Sequence, residues 1–89
     1  MGWNSLHYMQ VKSLNRTVEK RIKLYGLQVK FYKALALFKE NPRHPSLHTE
    51  LLEPKSWGVY SFRIDRKYRV LFYIKDKVVE ITNITLHYQ

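Results

Sequence analysis

The spacing of hydrophobic residues divides the chain into two halves. In the first half, apolar residues recur every three or four positions, which is typical of one face of a helix. Two such stripes are present: Leu14, Val18, Ile22 and Tyr25, followed by Leu27, Phe31, Ala34, Leu35 and Phe38. Ser13 or Asn15 can cap the first helix and Gly26 can end it. Pro42 should end the second helix, because proline disfavours helical backbone in the residue before it. The pattern predicts a helical hairpin.

In the second half, apolar and polar residues alternate, as in strands with one buried face. The first alternating run contains Tyr60, Phe62 and Ile64, and the second contains Tyr68, Val70, Phe72 and Ile74. A third run, Val78–Leu86, is rich in Val, Ile and Thr. The polar segments 65–67 and 75–77 have the length of hairpin connections. Residues 6–12 are predicted to add a short strand, and residues 43–47 to form a loop.

The order of these elements predicts an α+β fold in a single domain, residues 1–89, because helices precede strands without βαβ alternation. We expect a helical hairpin packed on one face of a twisted, mostly antiparallel four-stranded sheet. Its core should include four strand residues: Tyr60, Phe62, Val70 and Phe72. The other face would carry Arg63, Arg69 and Tyr73, and is the face left for a ligand.

The chain is strongly basic, with 16 Lys and Arg against 7 Asp and Glu and a formal net charge of +9. Such a field attracts polyanions, and nucleic acid is the commonest polyanion of a cytosol. A basic surface that serves only solubility is the plainer alternative. An anionic membrane is a weaker rival, because no predicted helix combines a basic face with strong Trp or Phe anchors.

The chain contains no cysteine, which excludes disulfides and thiolate metal sites. Small secreted domains usually carry disulfides. No apolar run approaches the roughly 20 residues that span a bilayer, and residues 1–10 lack the pattern of a signal peptide. We therefore expect a cytoplasmic protein with no membrane partner.

Few residues are suited to chemistry. No glycine-rich phosphate loop is present, and no His or carboxylate pair has the helical spacing of metal ligands. His44 and His48 lie around Pro45 in a loop and are not expected to bind a metal. We predict neither a metal nor a cofactor. The remaining set is suited to acid–base chemistry on a phosphodiester: Glu50, Arg63, Arg69, His87 and Tyr88.

The second half of the chain combines several short motifs. The run PSLHTELLEPKSWGVYSFRIDRKYRVLFYI is followed by a strand that ends in ITLHYQ. Within it, YSFRI is a strand with an aromatic residue, a serine and an arginine, Tyr-Arg-Val opens the next strand, and His-Tyr lies near the end. Together with two preceding helices, this combination resembles the RelE/YoeB/ParE toxin superfamily over nearly all of the chain. The resemblance is nearest to the YoeB- and RelE-like mRNA interferases of type II toxin–antitoxin systems.

The resemblance implies a RelE-like fold and a metal-independent endoribonuclease that cleaves messenger RNA on the ribosome. It also implies contact with ribosomal RNA and inhibition by an acidic antitoxin protein. Carried over position by position, it assigns Glu50 as general base, His87 as general acid, and Arg69 and Arg63 as phosphate-binding groups. Tyr88 would stack on a base or position the substrate. A carboxylate and an imidazole can move the two protons of RNA cleavage, while arginines stabilise the charged oxygens.

Each assignment has a plainer alternative. Glu50 could be a solvated carboxylate, and His87 a surface histidine. The arginines could pair with Asp65 or Glu80. Tyr88 could merely cover the core. Three further cations are expected to bind backbone phosphates, or else to be solvated charges: Arg43, Lys55 and Lys67.

Two other functions remain open. One is inhibition of DNA gyrase, as in ParE relatives, and the other is a catalytically silent basic module that binds nucleic acid or an antitoxin. Neither of them needs both Glu50 and His87. The chain departs from YoeB-like proteins in having Tyr68 at a position that is often polar, and in having Gln89 after the His-Tyr pair.

Overall fold

Two helices precede most of the sheet in the computed structural model, which describes residues 9–86. Helix α1 spans Arg16–Leu24 and begins after Asn15, whose side-chain oxygen accepts a hydrogen bond from the Val18 N–H at 2.8 Å. Gly26 follows this helix in the left-handed conformation, with φ of 65°, which glycine adopts without steric cost. Helix α2 spans Gln28–Glu40 and is capped by Asn41, before Pro42. The predicted hairpin is confirmed.

Within residues 9–86, five strands form one sheet: β1 (Gln10–Val11), β2 (Glu50–Leu51), β3 (Tyr60–Arg63), β4 (Tyr68–Lys75) and β5 (Val78–Leu86). Their order across the sheet is β1-β5-β4-β3-β2. The pairs β2–β3, β3–β4 and β4–β5 are antiparallel, whereas β1 runs parallel to β5. The predicted meander and its third run are confirmed.

The described part of the chain contributes five strands to the sheet, not the four predicted. The pattern does not reveal β2, because a strand of 2 residues is too short to show alternation. The strand predicted within residues 6–12 is confirmed only as the 2-residue β1, and positions 6–8 lie outside the described residues.

The helices bury their apolar stripes against one face of the sheet. Aromatic residues join the two layers, because Phe38 of α2 stacks on Phe62 with 4.5 Å between ring centroids and meets Phe72 edge-on. Fully buried residues from both layers form the core: Val18, Phe31, Phe38, Phe62, Val70, Phe72, Val79 and Ile84. Tyr60 is only half-buried at the rim of this core, where it stacks on Phe72.

The stretch predicted as a loop also contributes to the core. It contains a 3-10 turn, Pro45–Leu47, and Leu47 is buried. Within the described part of the chain, no helix is long and apolar enough to cross a membrane.

Candidate active site

The face of the sheet away from the helices carries a short ion pair between two strands. The Oε1 atom of Glu50 on β2 lies 2.7 Å from the Nη1 atom of Arg69 on β4. The two residues are not opposite each other in register: Glu50 faces Ser61, and Arg69 faces Arg63. Arg69 therefore reaches diagonally across β3. The structure thus brings together the predicted base and a predicted phosphate-binding residue.

Ser61 holds the arginine of this pair in place. Its side chain is fully buried, although it is polar, and its hydroxyl oxygen accepts a hydrogen bond from Arg69 Nη1 at 3.2 Å. Ser61 is not among the residues predicted to form the site. Its alternation with Tyr60 and Phe62 places it on the ligand face, but only the register shows that it lies between Glu50 and Arg69.

The two side chains of the ion pair differ in their exposure to solvent, and this difference affects what each can do. The Arg69 side chain is 14% exposed, whereas that of Glu50 is 52% exposed. A mostly buried guanidinium with two acceptors is held in one position, while the carboxylate remains open to a substrate. The pair therefore combines a fixed cation with an accessible proton acceptor.

Arg63 lies directly opposite Arg69 in the register of β3 and β4. Like charges at opposite positions destabilise a sheet, so an anion bound between them would be favoured. Within residues 9–86, the buried Nε atom of Arg63 has no hydrogen-bond partner. Asp65 and Glu80 are not the partners of these arginines, because they pair with Lys30 and Lys12 at 3.2 and 3.4 Å.

The other predicted cations lie at different places around the sheet. Arg43 lines a groove to which Glu50 also contributes. Lys55 lies in the 3-10 turn Lys55–Trp57, and Lys67 lies in the connection between β3 and β4. All three are exposed, and none forms an ion pair with a carboxylate of the described residues. They are available to an anionic ligand, and Arg43 shares a groove with Glu50 of the candidate site.

His87, predicted as the general acid, and Tyr88, predicted to position the substrate, lie outside the described residues. The last described strand does approach the ion pair. Thr85 of β5 faces Arg69, and Leu86, the last residue of β5, faces Tyr68.

Tyr73, which was expected on the same face as the arginines, is paired with a neighbouring carboxylate. A hydrogen bond between Tyr73 and Glu80 is the main cause of a raised pKa of the phenol, and the same bond lowers the pKa of the Glu80 carboxyl. Both shifts favour a neutral phenol that donates to an ionised carboxylate. Among the described residues, no group of three or more His, Asp or Glu side chains could hold a metal ion.

No protein-family model and no curated protein matches the chain. Solved structures of toxins do match, and they define the class of fold. A chain of the E. coli DinJ–YafQ toxin–antitoxin complex has a TM-score of 0.68 at 13% identity, covering 90% of this chain and 93% of that one. The predicted RelE-like α+β fold is thereby confirmed.

Two YoeB structures agree with this result. The YoeB/ParE toxin from Agrobacterium tumefaciens has a TM-score of 0.67 at 16% identity, covering 90% of this chain and 100% of that one. A chain of the heterotetrameric YoeB–YefM toxin–antitoxin complex from Staphylococcus aureus has a TM-score of 0.65 at 19% identity, covering 90% and 98%. This chain therefore has the fold of the RelE/YoeB/ParE toxins over most of its length.

Proposed function

We propose that this protein is the toxin of a toxin–antitoxin pair and a metal-independent endoribonuclease that cleaves messenger RNA on the ribosome. The observation that supports this most is the Glu50–Arg69 contact of 2.7 Å, braced by Ser61. It provides a proton acceptor beside a fixed guanidinium on a protein with a net charge of +9. RNA cleavage requires a proton acceptor and a group that stabilises the phosphoryl charge, and these two side chains can supply both. A surface that only binds protein requires neither.

In the proposed reaction, Glu50 removes the proton of the ribose 2′-OH, and the 2′-oxygen attacks the adjacent phosphorus. The bond from phosphorus to the 5′-oxygen breaks, and His87 donates a proton to that oxygen. The products are a 2′,3′-cyclic phosphate and a free 5′-OH. Arg69 and Arg63 stabilise the negative charge that builds up on the phosphoryl oxygens. Tyr88 positions the neighbouring base. Proton transfer by each group contributes roughly 10²–10⁴-fold.

The scissile phosphate competes with Glu50 for Arg69. When an RNA oxygen takes up the Nη1 hydrogen bond, the carboxylate is released to accept the 2′-OH proton. Ser61 keeps the guanidinium in position during this exchange, because its hydroxyl contacts the same nitrogen.

The partners follow from charge and from fold. Three exposed cations form no ion pair with a carboxylate of the described residues: Arg43, Lys55 and Lys67. They are suited to bind phosphates of messenger or ribosomal RNA. An acidic antitoxin would cover the same basic face, and matching structures include the YoeB–YefM and DinJ–YafQ complexes. We place the protein in the cytoplasm, where ribosomes and such a partner are found.

Purified ribosomes programmed with a defined message test the enzymatic part of this proposal. Wild type should cut the message. Treating the purified toxin with EDTA, and removing the EDTA before the toxin is added to the ribosomes, should leave the rate of cleavage unchanged, because no metal ion bound to the toxin is needed. Glu50→Gln and His87→Gln should each reduce the single-turnover rate by about 100-fold or more while the protein still binds ribosomes. Glu53→Gln is the matched control, because it removes the same charge from a nearby exposed carboxylate.

Two outcomes contradict the proposal. If Glu50→Gln cuts as fast as Glu53→Gln, Glu50 is not the base. If His87→Gln remains fully toxic in bacteria and produces DNA breaks instead of RNA cuts, inhibition of gyrase replaces ribonuclease activity.

A further inference from the structure

A groove lies beside the ion pair, between the segment that follows α2 and the edge strand β2. Its volume is about 390 Å³, which falls within the range of roughly 300–1,000 Å³ of small-ligand sites. The side chains that bear on its chemistry are Arg43, His44, His48, Glu50 and Tyr60. Glu50 belongs both to this groove and to the contact with Arg69. A strand of RNA that has its scissile phosphate at Arg69 would therefore continue into the groove.

The wall of the groove is held in place by contacts within its own segment. The Thr49 hydroxyl donates a hydrogen bond to the Pro42 carbonyl oxygen at 2.6 Å, which ties the two ends of the segment together. Pro42 is buried, and Leu47 anchors the segment to the core. The histidines therefore extend from a fixed wall.

The hydrogen bonds of His44 define what its ring can offer. Its Nδ1 atom accepts the backbone N–H of Ser46 at 3.2 Å, so a neutral ring carries its proton on Nε2. Within residues 9–86, the Nε2 atom has no hydrogen-bond partner, so the ring offers a donor and an aromatic face. His48 is exposed in the same wall, in the left-handed conformation with φ of 47°. Histidine rings are among the side chains on which unpaired RNA bases stack.

We propose that this groove binds the nucleotide next to the scissile phosphate and that His44 and His48 select its base. The inference rests on the proposed function and extends it to sequence preference. Arg43 neutralises the phosphate of that nucleotide, and because phosphate contacts carry no sequence information, discrimination falls to the histidines. Before RNA binds, the acidic side chain of the groove, Glu50, is paired with Arg69, so the charge of Arg43 is available to the incoming phosphate.

The variant that tests this inference is His44→Asn with His48→Asn. Asparagine keeps an acceptor for the Ser46 N–H at position 44 and tolerates the left-handed backbone at position 48, while both rings are lost. Lys77→Asn is the matched control, because Lys77 also has a positive φ, of 67°, and does not line the groove. Thermal unfolding should show that all variants are folded.

The experiment measures binding and cleavage separately on ribosomes programmed with messages that differ at the nucleotides on either side of the cut. Binding is measured with messages that carry a 2′-O-methyl group at the cut and so cannot react. Wild type and Lys77→Asn should prefer one base over another by about tenfold at one flanking position, as expected from the loss of one stacked base. In the double histidine variant this preference should fall to about twofold or less. Arg43→Ala should instead weaken binding of every message similarly.

A double variant that retains the full preference, or a wild type that binds all messages equally, overturns the groove assignment. An equal loss of binding to every message in the double variant also overturns it, because the histidines would then contact RNA without selecting a base. Absence of cleavage by wild type contradicts the proposed function instead, while the binding measurement with unreactive messages still decides the role of the groove.

Discussion

The two faces of the sheet are formed by alternate residues of the same strands, yet they have opposite characters. On the helix side, Phe62, Val70 and Phe72 are completely buried among apolar groups. On the open side, Ser61, Arg63 and Arg69 form a polar cluster with Glu50. Because a shift of one residue in register exchanges the two faces, packing on the helix side also determines which residues meet on the open side. We therefore expect core changes to affect stability first and changes in the polar cluster to affect activity first.

The largest loss of stability is expected for Phe72→Ala, on the helix side of the sheet. Phe72 is fully buried and contacts Phe38, Phe62 and Tyr60. Its truncation should lower the free energy of unfolding by about 3–5 kcal/mol, which is most of the stability of a small domain. Urea denaturation measures this loss, and Phe31→Ala should behave similarly. A midpoint near that of wild type for either variant would show that the core is misassigned.

The next effect concerns Arg69 on the opposite face of the same strand. Arg69→Lys keeps one positive charge but loses the planar pair of donors, so cleavage should fall by about 100-fold, as for loss of one transition-state donor. The denaturation midpoint should change far less than in Phe72→Ala. The single-turnover rate of cleavage and the urea denaturation midpoint are measured on the same protein preparations. If Arg69→Lys lowers the denaturation midpoint as much as Phe72→Ala does, the proposed division between a stabilising face and an active face is wrong.

A smaller effect is expected for Ser61→Ala. Ser61 acts through Arg69, so its loss should loosen the guanidinium and lower the rate of cleavage by about tenfold, the cost of one hydrogen bond to a charged group. The effect should appear in the single-turnover rate more than in ribosome binding, because the charge of the site is unchanged. Loss of activity in Ser61→Ala should also be non-additive with Arg69→Lys, since the two residues form one unit. Additive losses would assign Ser61 a separate role.

The smallest predicted effect depends on pH. Partial burial by itself raises the pKa of the Asp65 carboxyl, but hydrogen bonds from the Tyr68 and Lys67 N–H groups and from Lys30 outweigh it and lower the pKa below its ordinary value of 3.8. A lowered folded-state pKa stabilises the fold at a pH above the unfolded value, and this contribution is lost as the pH falls through the folded value. Asp65→Asn should therefore destabilise the protein by about 0.5–1 kcal/mol near neutral pH.

Denaturation of wild type and Asp65→Asn at neutral pH and at successively lower pH values tests this linkage. The difference in stability between the two proteins should shrink as the pH falls below 3.8. A difference that stays constant would indicate that the hydrogen-bonding geometry of the turn, and not the carboxylate charge, stabilises it.

Local sequence determines the helical hairpin and the meander. The cap at Asn15, the positive φ at Gly26 and the apolar stripes of both helices all depend on neighbouring residues, so they can be predicted from short windows. The bounds of Val78–Leu86 follow in the same way from β-branched residues. The roles predicted for Glu50 and Arg69 rest on resemblance to a toxin family. The RelE-like fold predicted from the same resemblance is confirmed by structures of low identity.

Only the tertiary structure decides how the candidate site is assembled. Glu50 and Arg69 meet because β2 adds to the edge of β3 in a particular register, and a 2-residue strand leaves no periodic signal. The buried Ser61 and the groove around His44 likewise depend on contacts between segments that are distant in sequence. Periodicity shows which face a residue occupies, but pairing between strands decides its neighbours, since register is a property of two chain segments and not of one.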